Sequence, residues 1–184
     1  DKGSFLTDSY NADGLPLLSW RVHLLPYLGR EWLYKKFHLD EPWDSPHNLK
    51  LLEQRPDAYR IPWSSDKDKD KTSVMVYVGA DEPFGIDKGP RLADILDGPH
   101  QTIMFIVADS DKAVPWTKPE DLKLGPASAP EVPHNYMMKR SFYAGFFDGG
   151  VQFFIGQEDV EAFRTMIRHR DSRSPRQPGG AGSP

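Results

Sequence analysis

The side chains best suited to binding chemistry lie in one proline-bracketed loop. They are an aromatic ring, a carboxylate, an imidazole and an amide: Trp43, Asp44, His47 and Asn48. A neutral imidazole and a carboxylate can share one metal ion, and a tryptophan can line a sugar-binding surface. These four residues therefore form a hypothetical metal- or glycan-binding site. The alternative, which the sequence favours, is that Asp44 or Ser45 caps the following helix and His47 packs on Trp43.

Other patterns that would indicate catalysis are missing from the sequence. The alternating acids from Asp66 to Asp70 resemble part of a calcium loop, but Lys71 and Tyr77 stand where such a loop needs a glycine and a bidentate acid. There is no cysteine, no Gly-x-Ser-x-Gly turn and no glycine-rich phosphate loop. The sequence thus predicts a non-enzymatic protein with no catalytic residue, no cofactor and no standard metal motif. A hydrolase that uses a spatial Asp/His cluster is the weakest of the open hypotheses.

Composition narrows the class of protein. The chain has 184 residues, of which 38% are apolar and 12% aromatic, so it can form one core and is not disordered throughout. The 17 prolines and 15 glycines predict short elements and many loops, which excludes a helical bundle. No apolar run reaches the length of a membrane helix, so we expect a soluble chain as given. A net charge of −4 gives no sign of nucleic-acid binding.

Short helices are expected in the first third of the chain. Ser19 can cap a helix whose apolar stripe begins with Trp20, Leu24 and Leu28, and Pro26 should split it into two segments. A further short helix is expected at residues 48–54. Residues 59–63 should be extended, because a residue before proline avoids the helical region.

The residue pattern in the second half of the chain predicts strands. Residues 72–78 and 101–108 are β-branched and apolar, with one short helix at residues 91–96 between them. Residues 142–147 and 151–155 flank Asp148, Gly149 and Gly150, which is typical of a β-hairpin. A last helix is expected at about residues 158–170. The fold class is α+β: N-terminal helices on an antiparallel sheet of about four strands, then a C-terminal helix. Residues 1–170 form one domain and residues 171–184 a disordered tail.

Five sequence motifs resemble a bacterial family. They are LSWRVHLLPYL (18–28), LDEPWDSPHN (39–48), YRIP (59–62), AVPWTKPEDL (113–122) and FDGGV (147–151). Together they are similar to the pseudopilin-like family called domain of unknown function 1559. The resemblance covers roughly residues 10–170.

The resemblance implies a protein of the cell envelope. Family members begin with a prepilin-type cleavage and methylation signal and a long apolar helix, as in type IV pilus and type II secretion subunits, and carry a His-x9-Asp-Gly motif. We therefore expect a pilin-like head outside the cytoplasmic membrane, periplasmic or on the cell surface. Its expected partners are envelope proteins or copies of itself, and it would meet a membrane only through the N-terminal helix. The sequence starts abruptly at Asp1, with neither an initiator methionine nor that helix, so we expect a processed or truncated form. Met138 stands where the motif has histidine.

The motifs make physical sense as scaffold. Prolines preset backbone angles and lower the entropy lost on folding, tryptophans anchor loops, and Asp-Gly closes a hairpin. The residues assigned this structural role are Trp20, Pro26, Pro42, Pro46, Pro115, Trp116, Asp148 and Gly149.

Overall fold

The computed structural model describes residues 3–60, 68–79, 82–85, 89–123, 141–155 and 160–167. Its described α-helices are α1 (Trp20–His23), α2 (Glu31–Tyr34) and α3 (Val160–Ile167). Its described 3₁₀ helices span Leu25–Leu28, Asn48–Gln54, Asp57–Tyr59, Leu92–Asp94 and Ser110–Lys112. Its described strands are β1 (Lys71–Thr72), β2 (Val74–Met75), β3 (Tyr77–Val78), β4 (Ile103–Val107), β5 (Val114–Pro115), β6 (Leu122–Lys123), β7 (Ser141–Phe146) and β8 (Val151–Ile155).

The α+β class is confirmed, with one sheet of four strands. These strands are all antiparallel and lie in the order β2, β4, β7, β8. Two further pairs are small: β1 with β5 is antiparallel, and β3 with β6 is parallel. The expected single strand at 72–78 was wrong. The chain there forms the end of β1, then β2 and β3. These three short strands bond to three different partners, which are β5, β4 and β6 in that order.

The predicted hairpin is confirmed. Strands β7 and β8 pair from Ser141 opposite Ile155 to Gly145 opposite Val151. Gly149 has φ of 88°, the left-handed conformation that glycine adopts without a side-chain clash. The Asp148 carboxylate accepts a hydrogen bond from the Gly150 amide at 2.8 Å, which fixes the turn.

The N-terminal helices lie where the sequence predicted them. The side chains that they bury differ from the prediction. The Ser19 hydroxyl caps α1 by accepting from the Arg21 amide, and Pro26 lies at the start of the following 3₁₀ helix. The predicted stripe through Trp20, Leu24 and Leu28 was wrong. Leu28 is exposed and Arg21 is buried, because α1 is a single turn and residues beyond it no longer follow its period.

Two other expectations need correction. Tyr59 lies in a 3₁₀ helix and only Arg60 is extended, while residues 61–63 fall outside the described residues. The helix expected at 91–96 is a 3₁₀ turn, Leu92–Asp94. It is closed by an ion pair between Arg91 and Asp94, which holds the chain in a tighter turn than an α-helix.

Apolar side chains gather in three clusters. The sheet cluster lies between the four-stranded sheet and α3 and consists of Met75, Tyr77, Ile103, Ile106, Ala108, Val114, Phe142, Ala144, Phe146, Phe163 and Ile167. The N-terminal cluster consists of Leu18, Val22, Leu25, Leu33, Phe37, Leu51, Leu52, Tyr59 and Trp116. A small third cluster joins Val76, Phe84, Ile95 and Phe147.

Within the described residues, no helix has the length and apolar character needed to cross a bilayer. The predicted tail at 171–184 and both ends of the predicted last helix lie outside the described residues.

Candidate functional site

Asn48, in the predicted binding loop, is a structural anchor. Its side chain is fully buried, and its amide nitrogen lies 3.0 Å from the His38 carbonyl, 3.1 Å from that of Pro42 and 3.3 Å from that of Glu41. Its amide oxygen accepts a hydrogen bond from the His38 backbone at 3.1 Å. These bonds hold the loop from 38 to 48 in shape and leave the Asn48 amide no free face for a ligand.

His47 stacks on His38 rather than on Trp43. The two imidazole rings are parallel, with centroids 3.5 Å apart. His47 Nε2 donates to the Lys36 carbonyl at 2.8 Å, since a carbonyl can only accept. Asp44 is exposed. Among the described residues, no group of three His, Asp or Glu side chains is arranged to hold a metal ion.

The structural motif residues lie at loop junctions. Trp116 is completely buried, and its indole donates to the Leu52 carbonyl at 2.9 Å. Trp43 is half-buried against the N-terminal cluster, with the Lys118 ammonium 5.8 Å from its ring centre. Pro115 ends β5, next to the bond from the Trp116 amide to the Asp70 carbonyl. The carbonyl of Pro42 receives the Asn48 amide, and Pro46 follows buried Ser45.

A second polar site, which we call the Arg21 network, lies between α1 and the strands. The Arg21 guanidinium is fully buried and pairs with the Asp121 carboxylate at 2.6 Å. It also donates to the Val74 carbonyl at 2.7 and 2.9 Å and to the Ser19 hydroxyl at 2.8 Å. A buried guanidinium is stable only when paired and hydrogen-bonded in this way.

Asp121 is saturated by donors. One carboxylate oxygen accepts from Arg21 and from the Val76 amide at 3.0 Å, and the other accepts from the Trp20 indole at 3.0 Å. Burial raises the pKa of Asp121, while Arg21 and the N–H donors oppose that rise. The carboxylate is therefore a cross-link between α1 and Val76, the residue that joins β2 to β3.

Asp8 lies next to this network, but Arg21 forms its ion pair with Asp121 and not with Asp8. Its carboxylate accepts the Trp20 amide at 2.8 Å. Burial raises the pKa of Asp8 to about 6, and the nearby Asp121 charge adds to the rise. Arg21 lowers it only in part, because its guanidinium faces Asp121. Asp8 can thus exchange a proton close to neutral pH.

Asp8 and Asp121 line a surface cleft of about 690 Å³, which we call the cleft. The N-terminal segment, strand β3 and the segment around β6 form its walls. The other described lining residues are Tyr10, Tyr77, Val78, Lys112, Pro119, Glu120, Leu122 and Lys123. A narrow recess of about 20 Å³ beside Trp20 and Phe84 shares Asp8 and Asp121 with it. This arrangement can bind a ligand or a proton.

The sequence did not predict this site. Asp121 belongs to a motif, but as part of a loop anchor, and Asp8 falls in a segment without periodicity. One signal was available: Arg21 stands between Trp20 and Val22 on a short helix next to apolar positions. An arginine that must be buried there requires an acidic partner elsewhere in the chain.

Comparison with known proteins supports the family resemblance. The model of the family described as protein of unknown function (DUF1559) matches residues 1–83. The resemblance predicted from the motifs is therefore confirmed over these residues, which include the first three motifs. The motifs at 113–122 and 147–151 lie beyond the match. No curated protein and no solved structure matches the chain.

Proposed function

We propose that this chain is a non-enzymatic structural and interaction module, the head of a pseudopilin-like protein of the cell envelope. The match to DUF1559 over residues 1–83 supports the family part of this proposal. The resemblance of the motifs implies the rest: an extracytoplasmic position and protein partners, including copies of itself.

One observation carries the non-enzymatic part. Three large polar side chains of the motifs, Arg21, Tyr59 and Trp116, are buried and bonded to the chain's own backbone or to another side chain. Arg21 contacts Val74 and Asp121, the Tyr59 hydroxyl donates to the Arg21 carbonyl at 2.8 Å, and Trp116 donates to Leu52. Side chains used in this way hold loops in place, whereas catalytic groups need a free face toward a substrate.

Cell fractionation tests the proposed location. The full-length protein, carrying a C-terminal epitope in its native host, is expected in the envelope fraction and should be cut by protease added to spheroplasts. A cytoplasmic marker protein in the same spheroplasts should stay intact. Recovery of the epitope in the cytoplasmic fraction, protected from protease, would contradict the proposal.

Metal or glycan binding at Trp43, Asp44, His47 and Asn48 remains an alternative prediction. Asp44 is exposed, and Trp43 is half-buried, so a ligand could reach both. Titration with divalent ions and oligosaccharides, followed by tryptophan fluorescence and melting temperature, tests it. A saturable change that is lost in Asp44→Ala would favour this alternative over the pure scaffold.

A further inference from the structure

The charges at the floor of the cleft do not balance. Arg21 is the cation of the trio with Asp8 and Asp121, and its guanidinium is committed to Asp121, Val74 and Ser19. Among the described residues, no lysine, arginine or histidine forms an ion pair with Asp8. Within the described residues, Asp8 therefore has no cation of its own, in a place that solvent reaches through the cleft.

The raised pKa of Asp8 agrees with this geometry. Burial raises the pKa of Asp8 to about 6 together with the Asp121 charge, and the Arg21 charge offsets only part of that rise. The groups that influence it are Asp121, Arg21, Ser19 and the Trp20 amide, and neither lysine of the cleft contributes. Tyr10, Tyr77, Lys112, Glu120 and Lys123 are the other ionisable groups that line the cleft. A cation that entered from solvent would supply the missing partner.

We propose that the cleft receives a lysine side chain from a protein partner, whose ammonium group pairs with Asp8. This inference rests on the proposed function as an interaction module and names the chemistry of its partner. The cleft, at about 690 Å³, falls in the size range of binding pockets, so it can admit a side chain together with the backbone that presents it. Lys123 lines the same cleft and would repel a partner with many positive charges, which favours a single lysine.

The floor of the cleft contains two natural reporters. The Trp20 amide donates to Asp8, and the Trp20 indole N–H donates to Asp121. Both N–H groups give separate NMR signals in the ¹⁵N-labelled chain. The probe is the peptide acetyl-Gly-Lys-Gly-amide, and its control is the same peptide with the lysine acetylated, which has no charge. Ionic strength is held constant throughout.

We expect the charged peptide to shift the Trp20 amide signal in a saturable way. The Kd should be on the order of 10 mM, because one ion pair and a short alkyl chain supply little binding free energy. The acetylated peptide should cause no saturable shift. Binding at pH 5 should be about tenfold weaker than at pH 7, because Asp8 is then mostly protonated.

A matched pair of variants locates the binding. Asp8→Asn should weaken it at least tenfold, while Asp13→Asn removes an exposed carboxylate of the same segment and should leave it unchanged. Equal binding by D8N and the unaltered chain would overturn the proposal. Saturation by butylammonium without any by the peptide would also overturn it and indicate a small amine, and saturation by a neutral disaccharide alone would indicate a sugar. None of these results bears on the cellular location, so failure here leaves the fractionation test intact.

Discussion

The N-terminal cluster and the sheet cluster are held to their surroundings by different forces. Around the N-terminal cluster the elements are short helices of three to seven residues, and buried polar side chains such as Arg21 and Asn48 tie them together. The sheet cluster is joined by aromatic packing, with Phe163 of α3 against Tyr77 and Phe142. Regular strands satisfy their own backbone groups, whereas short irregular segments need side chains to do so. The short segments of the N-terminal region thus rely on polar side chains for bonds that the long strands make with their own backbone.

The largest expected effect on stability comes from removing Arg21, the cation of the Arg21 network. Arg21→Met keeps the side-chain volume but leaves Asp121 buried without its partner, so we expect a loss of about 3–5 kcal/mol of unfolding free energy. Denaturant unfolding at pH 7 measures it. The double variant R21M/D121N should lose less than R21M alone, because residue 121 no longer carries a buried charge without its cation. The cost of R21M should also shrink as pH falls, since protonation of Asp121 removes the unpaired charge. An equal loss in the single and double variants would contradict this view of the network.

The matching change in the sheet cluster is Phe163→Ala. Phe163 is fully buried between two aromatic rings, so the variant leaves a cavity and should lose about 3–4 kcal/mol. Here the loss should be the same at pH 5 and pH 8, because Tyr77 and Phe142, the rings that Phe163 contacts, carry no charge. A loss for F163A that varied with pH as it does for R21M would remove the contrast between the two regions.

A smaller effect is expected at Asn48, where several bonds are lost but no charge is stranded. Asn48→Ala leaves the carbonyls of His38, Glu41 and Pro42 without their donor, and we expect a loss of about 2–3 kcal/mol. Leu49→Ala is the control, since this neighbour is exposed and should change stability by less than about 0.5 kcal/mol. If N48A proved as stable as L49A, the bonds of the Asn48 side chain would not be what holds the loop in shape.

The same contrast explains what could be predicted from sequence. The Ser19 cap and the turn at Gly149 are local: each depends on neighbouring residues, and both were predicted. The Arg21 network depends on partners that are far apart in sequence, since Arg21 and Asp121 are 100 positions apart, and no periodicity links them. The prediction of a single strand at residues 72–78 was wrong for a similar reason. A run of β-forming residues does not reveal that it pairs with three separate strands.

The smallest expected effect has the opposite sign and concerns Asp8, at the boundary between the two regions. Its pKa rises from 3.8 to about 6 on folding, so the folded state holds a proton more tightly than the unfolded state between those values. Stability from this group is therefore fully present below about pH 3.8 and is lost as pH rises through 6. Asp8→Asn can still accept the Trp20 amide and removes that loss, so we expect it to be more stable than the unaltered chain by about 1–2 kcal/mol at pH 7. The gain should disappear at pH 3.5, and D13N should show none at either pH. If D8N were instead destabilised at pH 7, the Asp8 charge would be compensated in the folded chain, and the cation expected in the cleft would have no reason to bind.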